Sequence, residues 1–349
     1  MNRKNMISAA IFVLLVAATV MVIFQGNDMS TVIAAMKTLK PLYLFAAALT
    51  ALFFTAAEGI MIWYLLGSLE GRTRILPCIK YSFVGFFYSG ITPSATGGQP
   101  MQLYYMQKEG HRVSNSSVVL MTVAVIYKFV LVAMGVGILL FYRQPLMRYL
   151  GQYIYLYYLG LFLNASLVLI LLFVMVSPGC FKTLILAGEA ALKKVHLLKK
   201  SGKRTEKLID MADQYHEAVL FLMNHKKKIV LVILFTIVQR CSVFFLTWLI
   251  YRGMGLSGES MISIMILQAS VYIAVDMLPL PGAQGITEIM YKASFGQVFP
   301  GAFLPASMCL TRGLNFYFLL IVSAFTAMYC HFRTKSLGLR GSWKSEIGE

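Results

Sequence analysis

Six ionisable side chains stand inside apolar runs of this chain: Glu58, Lys128, Arg240, Asp276, Glu288 and Arg312. A charge at membrane depth costs at least about 2.5 kcal/mol on insertion scales, so each needs a partner or water. Arginines offer forked donors that match a phosphate. Carboxylates such as Glu58, Asp276 and Glu288 suit a cationic headgroup or proton exchange. The competing role for each residue is an ion pair that only holds helices together. For Lys128, near a bend, that structural role is preferred. Asp276 and Glu288 flank a break in the chain, which favours function, while Arg240 and Arg312 suit either role.

Two unusual stretches must position these groups. Residues 90–105 read GITPSATGGQPMQLYY, with two prolines and a Gly-Gly pair among apolar runs. Proline removes a backbone donor and glycine loosens a helix. In hydrocarbon such a break is expected only where protein buries it or where it lines a polar cavity. Residues 276–291 read DMLPLPGAQGITEIMY and repeat the character. Laid over the first stretch, Pro281 falls on Pro93, Gly285 on Gly97 and Glu288 on Pro100. Two like-placed breaks in two halves of a membrane protein point to a substrate site between repeats. The half-helix N-termini there would present free N–H groups and positive dipole ends to an anion. Gly97, Gly98, Gly282 and Gly285 permit the turns; close backbone approach to a ligand is their further use.

The whole chain fits this setting. It has 349 residues, 58% hydrophobic and 13% charged, with a mean hydropathy of +0.72. A soluble domain of that length could not hide so much apolar side chain, so the chain reads as an all-α polytopic membrane protein in one domain. The net charge of +17 sits mainly between apolar runs and at the ends. That pattern fits cytoplasmic loops and an anionic membrane surface, not nucleic acid. Cys78, Cys180, Cys241, Cys309 and Cys330 form no C-x-x-C, and the five histidines form no H-E-x-x-H. No disulfide framework or metal site is expected, and no nucleotide-binding loop or other cofactor motif appears.

In chain order, six spans are expected: residues 7–24 (uncleaved, after Arg3 and Lys4), 42–66, 114–142, 153–176, 229–251 and 302–330. Two broken elements, about 79–108 and 261–298, read as re-entrant hairpins. The polar, lysine-rich segment 178–228 carries Leu208, Met211, Tyr215, Val219 and Leu222 at helical spacing. It is expected to be a cytoplasmic amphipathic helix, on the membrane or against the bundle. If the second hairpin opens outward and the first to the cytoplasm, both termini are cytoplasmic and the charge rule is obeyed. The halves, about 42–142 and 229–330, are then inverted repeats, a transporter architecture.

Thr92, Pro93, Gly97, Gly98 and Pro100 spell T-P-x-x-x-G-G-x-P. Pro279, Pro281, Gly282, Gly285 and Glu288 spell P-x-P-G-x-x-G-x-x-E. Together, in order, they resemble the lysylphosphatidylglycerol synthetase membrane-domain family, the flippase-like part of the multiple peptide resistance factor. The resemblance covers nearly the whole chain; Ala283 departs where the family often has glycine. It implies lipid translocation. Full-length members join this region to a soluble domain that moves lysine from lysyl-tRNA to phosphatidylglycerol; the membrane region then carries the aminoacylated lipid outward, giving resistance to cationic peptides. Here the chain ends about 19 residues past the last span (330 to 349), so a stand-alone member is expected.

The expected function is thus a plasma-membrane lipid flippase for a phospholipid or an aminoacylated, lysyl-phosphatidylglycerol-like lipid. Glu58, Thr92, Pro93, Gly97, Gly98, Arg240, Asp276, Gly282, Gly285, Glu288 and Arg312 are its substrate-binding candidates, and a homo-oligomer is allowed for. Three alternatives stand beside it. One is a membrane-embedded headgroup transferase (a phosphatidylglycerol lysyltransferase by family naming) with Glu288 or Asp276 as general base. Another is a carrier of polyprenyl-phosphate-linked lipids, and the last is a scaffold subunit.

Overall fold

The computed structural model describes residues 29–71, 73–92, 95–177, 179, 183, 202–278, 283 and 285–336; of 202–209 and 333–336 it describes the backbone alone. The expected first span, Pro93, Gly282 and both termini lie outside these residues. The described residues form helices, turns and loops, with no strand. A short α1 (Met29–Lys37) leads into α2 (Pro41–Glu70), which starts with proline at its first turn. Proline there is pre-set for a helix and forfeits only an N–H that would be unpaired anyway. The first broken element is α3 (Ile75–Ile91) and α4 (Gly98–Lys108). α5 (Val113–Phe141) follows, then α6 (Arg143–Leu150), a 3-10 turn and α7 (Ile154–Val176).

Downstream come α8 (Gly202–Asn224) and α9 (Lys226–Gly253). The second broken element is α10 (Met261–Val275) and α11 (Ile286–Phe295). The last span starts as α12 (Phe303–Arg312), passes through a π-helical stretch at Gly313–Phe318 and continues as α13 (Leu319–Ser336). Among the described residues, five helical stretches are long and apolar enough to cross a membrane: 41–70, 113–141, 143–176, 226–253 and 303–332. They match the five expected spans that fall on described residues. α3 and α10, at 17 and 15 residues, are shorter apolar helices.

α2 packs along α9 at the centre of the bundle. α5 lies against α9 and α10, and α13 lies against α2 and α3. One apolar core gathers α9, α10, α11 and their neighbours; a second gathers α3, α4, α5 and the end of α2. Large apolar side chains also face outward, among them Leu140, Phe162, Leu169 and Phe325, each more than 60% exposed. On a soluble protein that surface would aggregate; against lipid tails it is the natural outside.

The amphipathic stretch in 178–228 folds, from residue 202, as α8, which packs against α5, α7 and α9. Tyr215, Val219 and Leu222 are buried as expected, joined by Ala212 and Ala218, while Met211 is half-buried and the Leu208 side chain lies outside the described residues. Burial pushes the Tyr215 phenol up to about 12, because the phenolate would lose its hydration. α8 therefore spends its apolar face on the bundle.

Both breaks turn through the same strained backbone. Ala95, two residues before Gly97, has φ +55°, and Ala283, two before Gly285, has φ +49°; they are the only non-glycine residues with positive φ among those described. An alanine in the left-handed region costs about 1–2 kcal/mol, against about 0.5–1 kcal/mol for the extra chain entropy of glycine. Ala283→Gly is therefore expected to stabilise the protein by about 0.5–1 kcal/mol. Thermal unfolding in detergent should show a rise of roughly 2 °C; a fall would mean the alanine is held without strain.

Candidate functional site

The first break is held by its own hairpin. Thr92 Oγ1 donates to the Tyr88 carbonyl at 2.6 Å and accepts the Gly97 N–H at 2.9 Å. This closes the loop and carries the chain into α4. Tyr81 and Glu109, 2.8 Å apart, tie the far ends of α3 and α4 together, so the two arms run antiparallel. The role expected of Gly97 and Gly98 changes here. Gly97 has an ordinary φ of −81°, and what these residues supply is space. A Cβ on Gly98 would lie 2.1 Å from Ser89 Oγ and 2.9 Å from the Gly85 carbonyl; one on Gly97 would lie 2.7 Å from Thr92 Cγ2. Gly98→Ala should push the arms apart and destabilise by about 1–3 kcal/mol. Thermal unfolding measures the loss, and Ser89→Ala, which removes the nearer atom, should recover part of it.

The second break is capped differently. Gly285 takes φ +84° with open space around it, so here conformation is the requirement. Its N–H donates to Glu288 Oε2 at 2.6 Å, and the other carboxylate oxygen accepts from Arg312 Nε at 3.0 Å. Glu288 is 0% exposed. The N-terminus of α11, expected to present free N–H groups to an anion, thus has its Gly285 N–H taken by Glu288, one of the substrate-binding candidates. The carboxylate caps the helix and binds the π-bulged last span.

Between the breaks lies a cavity of about 210 Å³. Ser89, Gly90 and Ala95 border it from the first break, and Asp276, Leu278, Ala283 and Thr287 from the second. Phe54 of α2, Tyr127 of α5, Gln268 and Tyr272 of α10, and Arg312 and Asn315 add polar and aromatic groups to a wall that is otherwise largely apolar. Asn315 Nδ2 donates to the Tyr272 hydroxyl at 3.3 Å. Its volume suits a headgroup, with room for water but not for acyl chains.

Lys128 donates to Asp276 and, at 3.3 Å, to Asn164 Oδ1. The structural pair preferred for Lys128 is present, and its partner is the carboxylate at the cavity wall. Arg240 is different. It is 0% exposed, and none of its three guanidinium nitrogens has a hydrogen-bond partner among the described residues. Its guanidinium lies 3.0 Å from the Tyr127 ring centroid and 6.0 Å from that of Phe54, both cavity-lining rings. Asp276 and Glu58 are the carboxylates within electrostatic reach. Glu58 does not border the cavity; it accepts from Gln102 Nε2 of α4 at 2.7 Å.

The structure therefore brings Asp276 and Arg312 to the cavity wall, with Arg240 behind two of its rings. Thr92, Gly97, Gly98, Gly285 and Glu288 shape the breaks. The polar and aromatic lining formed by Tyr127, Gln268, Tyr272 and Asn315 was not anticipated. An isolated polar residue in an apolar helix, such as Gln268, was the available signal.

The comparison with family models decides the affiliation: the lysylphosphatidylglycerol synthase TM region matches residues 5–323. The chain belongs to that family. The match takes in both breaks and the charged residues around the cavity, and it gives the protein a membrane lipid-related role. No curated protein matches the chain.

Proposed function

We propose that this member of the lysylphosphatidylglycerol synthase TM region family is a flippase that passes a phospholipid headgroup between leaflets of the plasma membrane, with both termini cytoplasmic. One observation carries the reading. Two broken helices from different halves of the chain border one small cavity, and behind two of its rings lies a buried arginine with no hydrogen-bond partner among the described residues. A spanning bundle with only a structural role has no use for such a group, since a buried charge without hydrogen bonds is costly. A lipid phosphate meeting Arg240 and Arg312 would satisfy it with charge-assisted bonds.

The packing fits two related halves, as inverted repeats would require. α2 meets α9, and each half lays its last helix on the other half: α5 on α9 and α10, α13 on α2 and α3. Exchanging the halves returns the same set of neighbours. Phosphatidylglycerol and its lysyl ester are the first substrates to try, and a polyprenyl phosphate the next.

The test is leaflet redistribution in vesicles containing the purified protein, scored by chemical labelling of outer-leaflet headgroups. Faster redistribution than in empty vesicles, slowed by Arg240→Ala, is expected. A protein that leaves redistribution unchanged, or that makes modified lipid without moving it, would overturn the proposal and favour a transferase.

A further inference from the structure

A second groove, of about 640 Å³, lies where the end of α2 meets the start of α9. Trp63, Tyr64 and Gly67 of α2, Gly71 and Arg74 of the turn that follows, and Lys228 of α9 are among its walls. Glycine inside a helix is unfavourable and needs a reason. Gly59 has one: a Cβ there would lie 2.4 Å from Ile79 Cα of α3. Gly67 has no such neighbour, since a Cβ on it meets no atom within 4 Å. What Gly67 supplies is empty room beside the helix. Trp63 Nε1 donates to the Thr73 carbonyl at 2.9 Å, which pins the indole as one wall of that room.

The charge of the groove is one-sided. Arg74 and Lys228 contribute two cations, and no carboxylate is among the described residues that line it. Glu70, the last residue of α2, is engaged by His111, Asn115 and the Arg112 N–H. Beside the groove the outer face of α9 is bare: Val230, Leu231 and Leu234, within two turns of Lys228, are each more than half exposed. Cations at one end of an apolar stripe match a molecule with an anionic head and hydrocarbon tails. A water-soluble anion would gain nothing from the stripe.

We propose that this groove is a discrete binding site for one anionic phospholipid. Arg74 and Lys228 hold its phosphate, its head fills the room beside Gly67, and its chains lie along Val230, Leu231 and Leu234. The site needs a membrane but not transport, so it stands apart from the flippase reading. In the topology proposed above this end of the bundle faces the cytoplasm, and anionic lipids of that leaflet attract basic segments. Such attraction alone is diffuse and needs no groove. The claim here is a single lipid in a shaped place.

Trp63 is the reporter. With Trp248 and Trp343, the other two tryptophans, changed to phenylalanine, the full chain is reconstituted in phosphatidylcholine bilayers. A rising share of the lipid is then replaced by phosphatidylglycerol brominated on its chains, or by phosphatidylcholine brominated likewise. The brominated phosphatidylglycerol should quench Trp63 at a much lower membrane share. Arg74→Gln and Lys228→Gln should each cut that preference roughly fivefold. Gly67→Leu fills the groove, keeps every charge and favours the helix, and should abolish the preference. Lys227→Gln, on an exposed neighbour that does not line the groove, should leave it nearly unchanged. Equal quenching by the two lipids, or a preference that survives Gly67→Leu, overturns the site. A loss in Lys227→Gln as large as in Lys228→Gln reduces it to diffuse surface charge. Relief of quenching by millimolar inorganic phosphate would make the free ion the ligand and overturn the lipid. Should Gly67→Leu fail to fold, Arg74→Gln against Lys227→Gln decides in its place, since both side chains are exposed. Leaflet redistribution measured in the same vesicles reports on the flippase reading separately.

Discussion

Arg240→Met should give a protein that is more stable than wild type in lipid-free detergent and that no longer moves lipid. The two effects have one origin. The buried guanidinium has stacking on Tyr127 but no hydrogen bond among the described residues. A cation–π contact contributes about 2 kcal/mol at a desolvated site, less than the several kcal/mol that burying the ion costs. Methionine of similar length fills the space without that cost, so a gain of about 1–3 kcal/mol is expected. The same change removes the donors that phosphate would meet. Charge-assisted bonds of this kind are worth about 1.5–3 kcal/mol each, so losing a forked pair should cost about 3–6 kcal/mol, or roughly 150- to 25,000-fold in transport. Arg240→Lys keeps the charge but not the fork or the stacking, and should fall between. A methionine variant that unfolds earlier than wild type would show that Arg240 is a structural member of the bundle. One that transports normally would remove it from the site.

Glu288→Ala should be the most destabilising single change in the second half. Both carboxylate oxygens are engaged: one caps α11 through the Gly285 N–H, the other holds Arg312. Removing one partner of a buried pair costs about 3–5 kcal/mol, because the other charge is stranded; the lost cap adds about 1 kcal/mol. The double variant Glu288→Ala with Arg312→Met should regain most of the first loss and little of the second. Thermal unfolding of the wild type, both singles and the double closes the cycle. If the losses simply add, the pair contributes nothing jointly and Glu288 acts as a cap alone.

The spans were legible because hydropathy is a property of the residue itself, and a run of about 20 apolar residues has few other uses. The breaks were legible for the same reason: proline and glycine disturb a helix wherever they stand. Partnership was not. Lys128 meets Asp276 across 148 residues, and Gln102 meets Glu58 across 44; no local pattern announces such contacts. The partners Glu288 needed could not be named, because they are a backbone N–H positioned only once the turn forms and an arginine one helix later. Gly98 was expected for its torsional freedom and serves instead as the smallest side chain that lets α4 approach Ser89. For α8 the apolar stripe told which face is hidden, while the surface that hides it depended on where α5, α7 and α9 stand.

α3 and α10 are 17 and 15 residues long, about 25 and 22 Å at the α-helical rise. The hydrocarbon layer is about 30 Å thick. Neither arm alone reaches across it, and past their first turns both arms are covered by neighbouring helices. An arm that starts at the edge of that layer therefore ends inside it, and a polar head bound at the break, as proposed, would have less greasy thickness left to traverse.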